Sequence, residues 1–297
     1  MVGVLTVAWA FFLQSQECAS IVEQGRQAYE ARKFEVSIAE FERALEACPE
    51  RTQVLLALGQ AQFMAQRFEA SIESFRQVTK LDPKNTMARK LLGDALYLAG
   101  KEVEAEQSLK AALALDARFE PALYALGRIY YQQSRFPEAV EQFQKVIELD
   151  PNNYRAHDNL GLCFDSMYRD SDALLHFFKA LDLVQRDHQE YDWAHANLAD
   201  FFLKRDEYEK AFQLASEAAH RNPTSARNLF LTGKALVNLN KEELSLRWLE
   251  RAVELDPSYL EAHYLLAHTY QKLGRGQDAD REFATFRKLA KTPLNRR

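Results

Sequence analysis

The sequence predicts an all-α chain built as a row of about eight helical hairpins. Small residues recur at a fixed interval: Gly25, Gly59, Gly93, Gly127 and Gly161 lie 34 residues apart. After one step of 38, Ala199, Gly233 and Ala267 resume it. A second small position follows each by twelve residues: Ser37, Ser71, Ala105, Ala139, Ala173, Ala211, Ser245 and Ala279. Four further on stands a large apolar residue, Phe41, Phe75, Leu109, Phe143, Phe177, Leu249 and Phe283, with Ala215 the exception. Composition agrees, because only 10 Gly and 8 Pro interrupt 297 residues dominated by strong helix formers. With 47% apolar residues there is ample material for a core.

Each unit reads as two helices. In the fourth, Leu123, Leu126, Gly127, Tyr130 and Tyr131 fall on one stripe. After the polar break Gln132–Arg135, Phe136, Ala139, Val140, Phe143, Val146 and Ile147 form another. Gly127 and Ala139 lack bulk, so the two helices can approach closely, and Phe143 is expected to fill the gap between neighbouring units. Leu149-Asp150-Pro151 ends the second helix, since proline cannot continue it. Pro49, Pro83, Pro151, Pro223 and Pro257 close five units in this way. One hairpin cannot bury both faces, so its neighbours must complete the core.

This 34-residue pattern of L-G, Y, A, F and P positions resembles the tetratricopeptide repeat family. The resemblance implies a right-handed superhelical solenoid of about eight repeats over residues 18–291. Their boundaries are 18–51, 52–85, 86–119, 120–153, 154–191, 192–225, 226–259 and 260–291, with 292–297 a polar tail. Departures are informative. The third unit has Ala117 for the usual Pro and Glu102 for the usual aromatic, which predicts a looser turn. Four extra residues fall within 181–192, and lengthening one helix by about a turn is the least disruptive way to hold them. They form either a functional ridge or hinge at the edge of the array or a neutral insertion. The charged last hairpin (Asp278, Asp280, Arg281, Glu282, Arg287, Lys288) suits a terminal unit.

Residues 1–16 carry no charged side chain, and Val2–Leu13 is almost wholly apolar. This suits a secretory signal, and with it export to a bacterial-type periplasm or envelope. A retained anchor or an apolar helix capping a cytoplasmic array are the alternatives. Cys18 and Cys48 lie at adjacent ends of one antiparallel hairpin, so a disulfide is geometrically allowed. Its loop would contribute about 3.5 kcal/mol on the chain-entropy model. Cleavage near Ser15 would keep Cys18, and cleavage after Ser20 would remove it. Cys163 reads as a small core hydrophobe.

No catalytic, cofactor or metal constellation is present. His157, His195 and His263 share one register in three units and read as packing residues. His263 and His268, five apart, point about 140° away from each other on a helix and cannot share an ion. No phosphate loop, nucleophile elbow or Cys-x-x-Cys pair occurs. A net charge of −5 argues against nucleic acid. The resemblance implies instead a non-catalytic scaffold that binds a protein or peptide segment along the concave face lined by first helices. Carried over by register, that face bears Lys90, Asp94 and Tyr97, then Tyr124, Arg128 and Tyr131, then Arg155, Asp158 and Asp165. Later units add Trp193, Asp200, Phe230, Lys234, Tyr264 and His268. Tyrosines interleaved with charges offer contact area and orientation together. Tyr130 is assigned to packing. The lysine–asparagine clamp of chaperone-binding members is not reproduced, since Lys90 is followed by Asp94 and Tyr124 by Arg128. The rival reading is a structural adaptor that self-associates through the convex face or the array ends.

Overall fold

A computed structural model describes residues 2–48 and 51–291, with side chains from residue 16 onward. All regular structure among the described residues is α-helical, in sixteen helices that pair into eight hairpins. Pro49 and the tail 292–297 lie outside the described residues. The chain divides into two compact units, residues 1–149 and 150–297. The N-terminal unit holds α1 (Val2–Glu30) with α2 (Phe34–Ala47), and α3 (Arg51–Met64) with α4 (Phe68–Leu81). It continues with α5 (Thr86–Leu98) and α6 (Glu102–Leu115), then α7 (Glu120–Gln132) and α8 (Phe136–Leu149). The C-terminal unit holds α9 (Tyr154–Ser166) with α10 (Asp170–Asp187), and α11 (Trp193–Leu203) with α12 (Tyr208–Arg221). It ends with α13 (Ala226–Asn238) and α14 (Glu242–Leu255), then α15 (Leu260–Lys272) and α16 (Gly276–Leu289). No described helix is long and apolar enough to cross a membrane.

Within each unit every helix packs on its sequence neighbours, and each first helix also meets the next first helix. First helices therefore form the inner layer of each unit. What allows this is an intimate contact inside each hairpin. A Cβ built on Gly127 would stand 2.8 Å from the Phe143 ring, and one on Gly161 2.5 Å from Phe177. Phe143 thus fills the space over the glycine of its own hairpin, and its counterpart Phe177 also meets Phe201 of the following hairpin at 5.7 Å. Phe75, Phe143 and Phe177 are completely buried. In the first two hairpins the small second-helix residue adds a bond: Ser37 Oγ donates to Gly25 O (2.9 Å) and Ser71 Oγ to Gly59 O (2.8 Å).

The eight hairpin turns share one geometry. Arg32, Gln66, Gly100, Ser134, Tyr168, Asp206, Asn240 and Gly274 adopt positive φ between 56° and 75°. The next amide then reaches back five residues, as Lys33 N does to Ala28 O at 2.9 Å and Lys101 N to Leu96 O at 2.8 Å. This 6→1 closure satisfies carbonyls that the helix end leaves unpaired. The third hairpin keeps this closure despite Glu102, so its turn is not loosened as expected. Ala117 is equally harmless, because Asp116 Oδ1 accepts from Arg118 N (2.9 Å) just as Asp150 does from Asn152 N (3.0 Å). The four extra residues lengthen α10, which has 18 residues against 14 in each of the other second helices.

Two substitutions test this scheme. Gly161→Ala should lower stability by about 1–3 kcal/mol through overpacking against Phe177, whereas Gly276→Ala, with nothing within 4 Å of its Cβ, should be near neutral. Tyr168→Gly should raise stability by about 0.5–1 kcal/mol, the relief of a left-handed non-glycine residue less the added unfolded-state entropy. Urea midpoints of the purified variants read both.

Candidate functional site

The residues assigned to the binding face fall on first helices, but they do not all stand free. In the N-terminal unit, Lys90 Nζ donates to Asp94 Oδ2 at 2.6 Å, with both side chains about three-quarters covered. Burial raises the Asp94 carboxyl above its ordinary value, against the opposing charges of Lys90 and Arg128. Arg128 itself is exposed. Tyr124 is half-buried, its ring edge on Phe143 at 5.6 Å. Tyr131 packs its tilted ring against Phe136 (5.6 Å), the partnership that Tyr29 makes with Phe34 and Phe63 with Phe68. Tyr131 is therefore first a staple of its own turn. Tyr97 occupies the same register opposite Glu102, which offers no ring, and is half-buried. Tyr130 is buried, its hydroxyl donating to Glu106 (3.1 Å) beneath the Arg135 guanidinium.

The C-terminal unit builds its face differently. Arg155 is exposed, its guanidinium 5.5 Å from the Tyr154 ring. Asp158, expected beside it on the binding face, is only 1% exposed and cannot meet a partner directly. Its Oδ2 accepts from Tyr191 Oη (2.8 Å) and Asn197 Nδ2 (2.9 Å), while Arg227 Nη2 donates to Asn197 Oδ1 (2.9 Å). One buried chain of bonds thus joins α9, α11 and α13. Burial pushes the Asp158 carboxyl up to about 6, although Asn197, Tyr191 and Arg227 all favour its charged form. Asp165 is also buried, accepting from Lys204 Nζ and pairing with Arg205 Nη1, both at 2.9 Å.

The loop that follows the lengthened α10 belongs to this network. Tyr191 reaches Asp158, Asp192 Oδ2 accepts from Asn228 Nδ2 at 2.5 Å, and Arg221 Nη1 donates to Gln189 O at 3.0 Å. The insertion is built into the packing rather than left as a neutral bulge. Arg227 was not singled out from the sequence, yet it shares the register of Arg155 and Trp193, and that register was its one available signal. Trp193 is 52% exposed and lies 5.1 Å from the Arg227 guanidinium. Lys234 lies 5.9 Å from the ring of Phe230, and Tyr264 meets His268 edge-on at 4.4 Å. Asp200 is held by Lys204.

Cys18 and Cys48 form a disulfide that ties α1 to the end of α2 (Cα–Cα 5.1 Å). Beside it opens a cavity of about 390 Å³, lined chiefly by Cys18, Val22, Phe41, Val54 and Ala57. Cys163 is free and buried, its thiol pushed up to about 12 by that burial, as a core residue requires. His157, His195 and His263 are buried packing residues. His157 meets His176 and Pro151 O, and His263 meets Glu282 and Pro257 O. No group of three or more His, Cys, Asp or Glu side chains among the described residues could hold a metal ion.

Family models match along the chain. A tetratricopeptide-repeat model matches residues 22–85 and 65–118, and a second TPR-repeat model matches 127–164 and 233–274. The chain belongs to the tetratricopeptide repeat family. Solved tetratricopeptide structures resemble it. MamA is 26% identical, covering 55% of this chain and 95% of its own, with a TM-score of 0.51. A tetratricopeptide repeat protein of Parabacteroides merdae is 16% identical, covering 86% of this chain and 99% of its own (TM-score 0.70). A chain of the APC/C hetero-tetramer Cut9–Hcn1 is 17% identical, covering 89% and 55% (TM-score 0.68). These last two speak for the fold alone. No curated protein sequence matches the chain. Tetratricopeptide repeats generally mediate protein–protein interaction and scaffolding, and the family is generally non-catalytic.

Asp158 gives this repeat array a measurable pH signature. Its folded value lies above the ordinary 3.8, so the stability it lends when protonated is complete below about pH 4 and lost as pH rises through about 6. His176 and His195, lowered by burial to about 4, slope the opposite way over the same window. The comparison must therefore be made against the wild type. The stability of Asp158→Asn relative to wild type should grow from pH 4 to 7 by on the order of 1–3 kcal/mol. A difference that does not vary with pH, from denaturant midpoints, would mean that Asp158 titrates normally.

Proposed function

We propose that the chain is a non-catalytic scaffold that holds a segment of another protein against its first-helix faces. The observation that carries this reading is the division of labour along each first helix. One stripe is committed to the hairpin, while the stripe bearing Arg128, Arg155, Trp193 and Tyr264 stays exposed. Exposed aromatics set among charges are costly to maintain in water and suit a contact surface. The apolar cavity beside Cys18, between α1, α2 and α3, adds a socket for apolar groups. The disulfide also favours an oxidising compartment, in keeping with export.

The rival is self-association through other surfaces, for which exposed second-helix residues such as Leu175 (65%) and Phe178 (51%) speak. Replacing Tyr124, Arg128 and Tyr131 together by alanine separates the two. Affinity capture from native extract should lose its partner at least tenfold, with the helical circular dichroism retained. Replacing Leu175 and Phe178 should leave capture intact. Unchanged capture by the first variant, together with a concentration-dependent oligomer abolished in the second, would favour the rival.

A further inference from the structure

Three cations on the C-terminal unit's first-helix face have no carboxylate partner. Arg155, Arg227 and Lys234 each lie over an aromatic ring, those of Tyr154, Trp193 and Phe230. None of them is paired with an Asp or Glu among the described residues, whereas Arg169, Lys204, Arg205, Lys210, Arg221, Lys272 and Arg275 of the same unit all are. Arg227 Nη2 donates to Asn197 Oδ1, and its Nη1 is buried without a hydrogen-bond partner. The acids that could have neutralised them are engaged elsewhere. Asp158 and Asp165 are buried in the network described above, Asp192 holds Asn228, and Asp200 holds Lys204. Only Glu261, in the equivalent register of α15, stands exposed.

Three of these residues make a row. Arg155, Trp193 and Arg227 occupy one register on α9, α11 and α13, which pack successively on one another. Neighbouring helices lie about 8–10 Å apart, so the two guanidinium groups are separated by roughly 20 Å. An extended chain covers that span in about six residues at ~3.3 Å each.

On this basis, and resting on the reading that first-helix faces hold a partner, we propose that the Arg155–Trp193–Arg227 row binds an extended acidic segment of another protein. Its side-chain carboxylates, about six residues apart, meet the two arginines, and an apolar or aromatic residue midway covers Trp193. Lys234 extends the basic face toward one end. The recognition is of side chains and needs no free C-terminus. A carboxylate is the fitting ligand because the exposed Arg155 guanidinium offers planar, paired donors, while at Arg227, whose Nη2 is held by Asn197, it would complete the charge of a guanidinium with no carboxylate of its own.

The test uses the full chain and an end-blocked peptide, Glu-Gly-Ser-Phe-Ser-Gly-Glu, with its Gln-for-Glu isostere, by calorimetric titration. The Glu peptide should bind about tenfold or more tighter at low salt, and that preference should fade towards about 0.5 M NaCl. The variant Arg155→Gln, Arg227→Gln, Lys234→Gln should lose the preference, and Arg227→Lys should retain most of it. Equal affinity for both peptides, no binding of either at millimolar concentration, or a preference that survives in the triple variant would overturn the proposal. So would a uridine oligonucleotide that binds more tightly than the acidic peptide. If capture still depends on Tyr124, Arg128 and Tyr131 in those cases, the scaffold reading stands and only the acidic segment falls. If it does not, both fall.

Discussion

The contact on which the rest depends is a ring or branched side chain lying where a Cβ would otherwise be. In six hairpins a first-helix glycine admits Phe or Leu from the second helix to within 2.5–2.8 Å of its missing Cβ position. That distance lets the helices close without a void, and a void there would forfeit contacts on every side. The two hairpins that lack the glycine follow the same volume rule. Ala199 is met by Ala215 rather than Phe, and Phe201, buried against Phe177, supplies the lost bulk. Ala267 still faces Phe283, and there the ring is only half-buried, leaning on His268 at 5.0 Å.

Because this contact is internal to each hairpin, the inner stripe of a first helix is released from it and can carry different chemistry in different places. The C-terminal unit uses that freedom for a buried polar chain. Isolated buried charges are expensive and contribute little stability over an apolar core. Their geometry is demanding, however, and Asp158 is satisfied only when Tyr191 and Asn197 both arrive from the same direction. That requirement fixes the register of α9 against α11, and Asn228 on Asp192 fixes α13 behind them. The four-residue insertion makes this possible, since it delivers Tyr191 and Asp192 to the network. The N-terminal unit, with the regular spacing throughout, shows no comparable chain among its described residues; it is closed at its first hairpin by Cys18–Cys48.

The fold was legible because packing periodicity is a sum over many positions, and no single exception among them erases it. Even the departures at Glu102 and Ala117 changed nothing, since the first turn is closed by backbone hydrogen bonds and the second by the Asp116 carboxylate on Arg118 N. The site was legible only in outline. Register placed Asp158 and Arg155 on one helix face, but three positions are about 300° on a helix, and that difference decides between the interior and the surface. Asp158 went inside because a tyrosine 33 residues away and an asparagine 39 away could reach it. Tyr131 looked like a groove aromatic until its neighbour Phe136 claimed it. Arg227 was passed over for the converse reason: its importance lies in a missing carboxylate, and an absence has no motif.

What distinguishes a surface cation that serves folding from one that serves recognition is where its counter-charge resides. Arg205 is fully occupied, lying on Phe201 at 3.5 Å and paired with Asp165 and Asp170. Its removal would leave the buried Asp165 with Lys204 as its one cation. Arg155 lies on a ring but has no such obligation. A ring behind a guanidinium lowers the entropy to be lost on binding, because the side chain is already held in place, while its donors remain turned to solvent. The same scaffold therefore holds two kinds of arginine. One kind is spent on joining helices, and the other is pre-oriented and still electrostatically unsatisfied, which is the condition a partner's charge can relieve.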